Sequence, residues 1–478
     1  MLLKRDELLD KIHACWIGKN IGGTIGGPFE KIQEMLDVKG FTTEKGDPLP
    51  NDDLDLQLIW LCAMEEVGPA TLSAADLGEY WINFIPPHWN EYGIGKANMR
   101  AGMLPPLCGE MHNDFWKNSN GAWIRSEIWA CMAPGFPEIA RKYAFMDACV
   151  DHGMGEGTIA EQFTVTMESL AFLGGSIRSI IEESLKAIPA DCRVAKSICR
   201  VMEGYDRGED WKDVRNALVK MDEDIGWFQA PANVGYVVLG LLYGEGDFKK
   251  SMLAAVNCGD DTDCTAATVG AFLGILYGTE GIPADWAEYI GDEIITISLD
   301  RSWRRLATIK TCTDLTRRTF NQIPAVLIGN DYMVDYTEEG FLVEPIPYSR
   351  SPITHPAPME RGQIGFDAFE NPVMKIQVEY DRKPVLKAGE SIEVRLILIN
   401  KMHDSRVVQV KMRELPKGIT ARDANGITFM DYKHRFETYS FTVCAEEDAV
   451  LEPMSHILAE VKCEGRGTSA LFKIPFFA

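Results

Sequence analysis

The chain has 478 residues, with 48 basic and 71 acidic side chains and a formal net charge of −23. Hydrophobic residues make up 46% and charged residues 25%, a globular mix that excludes wholesale disorder. The sequence pI near 4.8 excludes a nucleic-acid partner, because phosphate neutralisation needs clustered Lys and Arg.

The charge is unevenly spread. Residues 1–370 hold 32 basic and 56 acidic side chains, whereas residues 371–478 hold 16 and 15. Most of that excess reads as a solvated acidic surface. A smaller part reads as carboxylates converging on bound cations, which would offset their repulsion.

In chain order, the opening MLLKRDELLDKIHACWIGKN lacks the uninterrupted apolar stretch of a signal peptide. No apolar run approaches the ~20 residues that cross a bilayer, so no membrane partner is expected. The twelve cysteines show neither a CxxC pair nor zinc-type spacing, which predicts buried reduced thiols in a cytoplasmic protein. Gly18, Gly22 and Gly26 recur at a period that would let one helix face approach another backbone. Neither a preceding strand nor a Gly-Lys-Ser/Thr ending supports a phosphate loop there. The glycine turn is instead expected to set Glu30 beside other carboxylates.

Asn51-Asp52-Asp53-Leu54-Asp55 stands directly before a predicted helix in which Leu54, Leu58, Leu61 and Cys62 share a face. Five of the eleven tryptophans (Trp81, Trp89, Trp116, Trp123 and Trp129) fall within residues 81–129. They read as core packing or, in part, as an aromatic wall for an adenine or a second sugar. His152 follows Asp151 and reads equally as a ribose or leaving-group contact and as a satisfied loop histidine. A further helix is predicted from Gly157 to the paired Gly174 and Gly175.

The segment Asn257-Cys258-Gly259-Asp260-Asp261-Thr262-Asp263 precedes a helix of small residues, with Gly278 as its C-terminal cap. One acidic cluster at a helix start is explained by capping and the helix dipole. Two such clusters, each with more Asp than a cap uses, point to hard divalent cations on oxygen ligands.

No strand–helix alternation occurs up to about residue 320, so this part is expected to be an all-α domain. Residues 321–370 are dense in proline and predict a linker. After it the period becomes two, as in IEVRLILI, VVQVKM and the run Ile457, Ala459, Val461, Cys463. The expected organisation is therefore a helical catalytic domain over 1–320, a linker over 321–370 and a β-sandwich over 371–478. The sandwich is expected to be of immunoglobulin or fibronectin-III type.

The motifs together resemble the ADP-ribosylglycohydrolase family. Its GDALGxPxE is matched by Gly22 to Glu30, its Thr-Asp-Asp by Asn51-Asp52-Asp53, and its NGAxxR by Asn120-Gly121-Ala122-Trp123-Ile124-Arg125. Its Ser/Thr-His corresponds to Asp151-His152, and its GGDTDT to Gly259-Asp260-Asp261-Thr262-Asp263-Cys264. The resemblance implies a two-Mg²⁺ centre, with Mn²⁺ as the alternative, held by Asp52, Asp53, Asp261 and Asp263. Asn51 and Cys264 stand at ligand positions usually held by Thr, and Gly23 stands where the family has Asp. It implies substrate contacts at Asn120, Gly121, Trp123, His152 and Gly259. Catalytic roles fall to Glu30, Asp53 and Asp261, with Glu30 or Asp53 as the base.

The implied function is Mg²⁺-dependent hydrolysis of an α-ribosyl bond in an ADP-ribosylated molecule. A simpler ribofuranoside or nucleoside-type substrate is the alternative, because Trp123 is bulky and Arg125 is the only basic residue in a motif. A non-catalytic binding or structural role on the same fold ranks third, since the acidic clusters are intact. The near-neutral tail leaves room for homo-oligomer contacts.

Overall fold

The small-residue spacing near the N-terminus is realised as a direct backbone contact. In the computed structural model, residues 1–303, 305–346, 356–371, 373–402, 404–431, 433–464 and 469–478 are described. Gly18, Gly22 and Gly26 lie on the helix Arg5–Gly26, packed along the helix Thr262–Tyr277. A β-carbon on any of the three would fall 2.2–2.3 Å from backbone atoms of Gly270, Ala266 or Thr262. Only glycine permits this approach. The contact brings residues 26–30 to the start of the second helix.

The helix Asp52–Val67 also runs through the interior, and every residue from Asp53 to Met64 is buried. Leu54, Leu58, Leu61 and Cys62 are among them, but so are Asp53, Asp55 and Gln57, so this helix has no solvent face over that stretch. The expected helices after Gly157 and Asp263 are Glu156–Ala171 and Thr262–Tyr277, and Gly278 takes the positive φ of 72° that ends the latter.

The chain divides into two units, residues 1–94 with 112–349 and residues 95–111 with 350–478. The first unit is helical but not wholly so. Strands β1 (Leu2–Lys4), β2 (Tyr332–Tyr336) and β3 (Gly340–Pro345) form an antiparallel sheet in the order β1-β3-β2.

Much of the segment expected as a linker, 321–370, is therefore regular structure: the end of the helix Cys312–Ile328, then β2, β3 and β4 (Ile364–Glu370). Its prolines misled because Pro324 lies inside the helix and Pro345 ends a strand, where a missing N–H is tolerated. Residues 347–355 of that segment lie outside the described residues.

The second unit adds β5 (Met374–Tyr380), β6 (Ser391–Asn400), β7 (Arg406–Glu414), β8 (Ile419–Arg422), β9 (Gly426–Met430), β10 (Phe436–Ala445), β11 (Met454–Cys463) and β12 (Ser469–Phe477). They form antiparallel sheets in the orders β4-β5-β6-β10-β8 and β12-β11-β7-β9. Period-two burial explains the pairing: Val408, Val410 and Met412 of β7 are buried, while Gln409 and Lys411 are exposed. One core joins both sheets, and it includes Met103, Leu107, Cys108 and Met111 from the first quarter of the chain. The β unit is thus not the contiguous 371–478 tail that the period alone predicts.

Candidate active site

Two helix starts and one turn supply the acidic groups. Asn51 caps the Asp52–Val67 helix, its Oδ1 accepting from the Asp53 N–H at 2.7 Å. That oxygen is therefore engaged in the cap. Its amide nitrogen fills the space above Gly23, where a β-carbon would meet it at 1.9 Å. The glycine at the family's Asp position and the Asn at its Thr position are thus sterically paired.

Asp53 is fully buried, accepts the Cys264 S–H at 3.3 Å and has the Lys19 ammonium 3.9 Å from its other oxygen. Asp52, half-buried, accepts from the Tyr92 hydroxyl at 3.0 Å. At the second helix start, Asp261 and Asp263 are both buried and interact directly with each other. Asp53, Asp263 and Cys264 each offer one donor atom, and these atoms lie within 4.8 Å of one another.

Electrostatics sets this cluster apart. Burial pushes the Asp53 and Asp261 carboxyls well above the usual range; Lys19 opposes the shift at Asp53, and Asp263 adds to it at Asp261. Asp263 is raised to about 7, by burial first and by the Glu30 charge second. Asp53 Oδ2, Asp261 Oδ1 and Asp263 Oδ1 are buried without a hydrogen-bond partner. Unpaired buried acceptors of one sign cost energy unless protonated or joined to a cation. Three such oxygens in one cluster fit a divalent metal ion.

Glu30 follows the turn Gly27–Phe29 and differs from these groups. Its side chain is 29% exposed and pairs with Lys31 at 3.2 Å. It is a solvent-accessible carboxylate whose charge is felt at Asp52, Asp261 and Asp263.

Other expected contacts are placed differently. Trp123 is fully buried, and its indole N–H donates to Asn120 Oδ1 at 3.1 Å, so it lines no cleft. Asn120 in turn donates to Asp261 Oδ2 at 2.7 Å and holds a carboxylate in place. Gly121 lies under the buried Glu91 carboxylate, which a β-carbon would meet at 2.2 Å. Gly259, at φ 77°, packs against the carbonyls of Ile32 and Glu34 and makes the tight turn before Asp260.

His152 is fully buried, with Nδ1 2.9 Å from Asp151 and Nε2 3.2 Å from the Ser119 hydroxyl. It is an interior histidine at the end of the helix Pro137–His152, with Nδ1 beside Asp151 but without a hydrogen bond of good geometry. Arg125 is likewise buried, held at 2.8 Å by both Asp147 and Asp151, with its guanidinium 4.9 Å from the Trp81 ring centre. Its charge is spent internally.

Sequence reading missed Lys19, Tyr92 and Glu127. Lys19 has no exposed surface and binds Glu127 at 2.7 Å; burial opposes its charge, and the Glu127 and Asp53 carboxylates restore it. The available signal was a lysine one residue after Gly18, on a helix otherwise rich in small and apolar residues. Tyr92 carries no motif. Asp55 and Asp260, by contrast, are structural: Asp55 accepts from the N–H groups of Ile297 and Ser298, and Asp260 from that of Phe228.

The fold and the site define a helical protein with a buried acidic centre where two helices begin. The chain belongs to the ADP-ribosylglycohydrolase family, whose profile matches residues 4–318. ADP-ribosylarginine hydrolase Tri1 of Serratia proteamaculans (strain 568) is 22% identical over 295 residues, which cover 60% of this chain and 77% of that protein. Tri1 of Pseudomonas putida (strain GB-1) is 39% identical over 62 residues, 12% of this chain and only 17% of that protein. A solved structure described as an ADP-ribosylglycohydrolase-related protein complex is 20% identical with a TM-score of 0.44, covering 66% of this chain and 100% of that one. Among the described residues, no helix is long and apolar enough to cross a membrane.

Proposed function

We propose that the protein is a divalent-cation-dependent glycohydrolase that removes ADP-ribose from an ADP-ribosylated substrate, with arginine-linked ADP-ribose as the first candidate. Membership of the family and the names of the two Tri1 relatives support the bond and the substrate. The observation that carries the cation requirement is the set of buried oxygens on Asp53, Asp261 and Asp263 that lack a hydrogen-bond donor, a charge that the Lys19 ammonium, shared between Glu127 and Asp53, does not offset.

Asp52, Asp53, Asp261 and Asp263 would hold the ions, Mg²⁺ or Mn²⁺ being the ones that carboxylate oxygens take. When bound, such ions orient ribose hydroxyls and polarise water. The protein's own residues do the rest. Cleavage of a ribosyl C1 bond passes through an oxocarbenium-like state and needs a carboxylate to take a proton from the attacking water. Glu30 suits that role better than Asp53, because Asp53 is enclosed between Cys264 and Lys19 whereas Glu30 is open to solvent. Asn120 and Tyr92 act by orienting Asp261 and Asp52. The simpler-riboside reading drew on Trp123 and on Arg125 being the only basic residue in a motif; the burial of the Trp123 ring removes the first of these supports.

A product screen tests the proposal. ADP-ribosyl-arginine, ADP-ribosyl-serine and simple ribosides are each incubated with the full chain, with and without Mg²⁺. Release of ADP-ribose from the arginine adduct, abolished by chelation and lowered ~10²–10⁴-fold in Glu30→Gln, is the expected result. Metal-loaded protein that turns over none of these substrates would overturn it.

A further inference from the structure

The acidic centre is not built from oxygen alone. Cys264 places a sulfur in the first turn of the Thr262–Tyr277 helix, buried, with its S–H directed at Asp53 Oδ1 across 3.3 Å. The family pattern has a hydroxyl-bearing threonine at this position. Among the described residues, Asp53, Asp263 and Cys264 are the one group of three acidic, thiol or imidazole side chains whose donor atoms come within 4.8 Å of one another. Independently, Asp263 Oδ1 and Asp53 Oδ2 are buried without a hydrogen-bond donor, the latter with the Lys19 ammonium 3.9 Å away.

The chemistry of such a donor set is selective. Mg²⁺ dehydrates reluctantly and takes hard oxygen, so a thiol in its coordination sphere is a loss. Zn²⁺ and Co²⁺ accept mixed sulfur and oxygen ligands, and catalytic zinc sites use three protein ligands with one position left for water. Zn–S near 2.3 Å and Zn–O near 2.0–2.2 Å at a tetrahedral angle put two ligands of one ion about 3.6 Å apart, and Cys264 Sγ lies 3.3 Å from Asp53 Oδ1.

Resting on the cation-dependent reading above, we infer that Asp53, Asp263 and Cys264 form a position for a thiophilic divalent cation of the Zn²⁺ or Co²⁺ class rather than for Mg²⁺. Coordination breaks the S–H bond, the proton passes to solvent, and the thiolate and the two carboxylates bond to the metal. Asp52 and Asp261 are left as oxygen-only ligands, so the centre would be mixed in its metal preference.

Cobalt spectroscopy on the full chain tests this. Chelator-stripped protein in a Cys199→Ser background, which removes the exposed thiol, is titrated anaerobically with Co²⁺. Cys264→Ser and Cys264→Thr are titrated in parallel, with circular dichroism to show that each is folded. The expected result is a thiolate-to-cobalt charge-transfer band that saturates with the first equivalent and is absent from both variants. Their Co²⁺ affinity should fall at least about tenfold, with Mg²⁺ affinity unchanged.

Cobalt bound without the band, or a band surviving in Cys264→Ser, overturns the inference while leaving the cation requirement standing. Calorimetry showing that neither Co²⁺ nor Mg²⁺ binds overturns both.

Discussion

Asn120 donates its side-chain N–H to Asp261 Oδ2 across 2.7 Å, joining segments 141 residues apart, and is itself held by the Trp123 indole N–H at 3.1 Å. This relay fixes one oxygen of Asp261 and leaves the other, Oδ1, unpaired in the centre. Trp123→Phe keeps an aromatic ring but removes the pyrrole portion with its N–H, and Asn120→Ala removes the relay. Each should weaken Mg²⁺ binding by about 1–3 kcal/mol, because a buried polar partner is orphaned. The double mutant should be little worse than Asn120→Ala alone, since both act through one chain of bonds. Calorimetric affinities in a double-mutant cycle check this, and simple additivity would show that Trp123 acts elsewhere.

Asp263→Asn should separate stability from metal binding. Without metal, Asp263 crowds Asp53, Asp261 and the Glu30 charge, so neutralising it relieves repulsion. In chelator, the melting temperature of Asp263→Asn should equal or exceed that of the wild type. Added Co²⁺ should then raise the wild type more than the variant. Scanning calorimetry in both conditions decides it; equal metal stabilisation would remove Asp263 from the ligand set.

Glu91 gives a pH signature of its own. It is buried against Gly121, with Oε2 unpartnered, and burial raises its carboxyl to about 7. Because the folded state holds this proton more tightly than the unfolded chain, the native state binds more protons between the two pKa values. Its contribution is therefore present below the unfolded value of about 4.3 and is lost as pH rises toward 7, on the order of 3 kcal/mol. Glu91→Gln should flatten that decline in urea midpoints measured from pH 5 to 8. An identical slope in both proteins would show that Glu91 is ionised in the fold.

Gly22→Ala tests the helix contact that sets the site. The new methyl would lie 2.3 Å from the Ala266 backbone, which cannot move aside as a side chain could. A loss of about 3 kcal/mol or more is expected, at the upper end of overpacking costs. Denaturant midpoints measure it, and a loss below ~1 kcal/mol would mean that the two helices part without difficulty.

Truncation before residue 350 should not yield a well-behaved helical unit. Met103, Leu107, Cys108 and Met111 would lose the β-sheet residues they pack with and become exposed. The shortened chain should bind a hydrophobic dye and aggregate, whereas substituting those four side chains with polar residues should restore solubility. A soluble, dye-silent truncation would show that 95–111 refolds without the tail.

Local pattern was enough to locate the acidic segments at two helix starts, the close-approach glycines and the period-two strands. Each of these depends on spacing along a single element: 3.6 residues per turn, two per pleat, a cap at a helix end. Where side chains from different elements meet was beyond its reach. Trp123 and His152 sit in motif-bearing segments, yet their roles depend on burial against Asn120, Asp151 and Ser119, which is a property of packing. Lys19 and Tyr92 became site residues only because Asp53 and Asp52 face them. The 95–111 segment joined the β unit because its apolar face found a sheet more than two hundred residues later, and no local periodicity encodes which surface covers it. Spacing along the chain located the acidic helix starts and most elements, though not the strands within 321–370; which acidic groups are buried together follows from the packed fold, because desolvation and charge coupling exist only once distant segments exclude water between them.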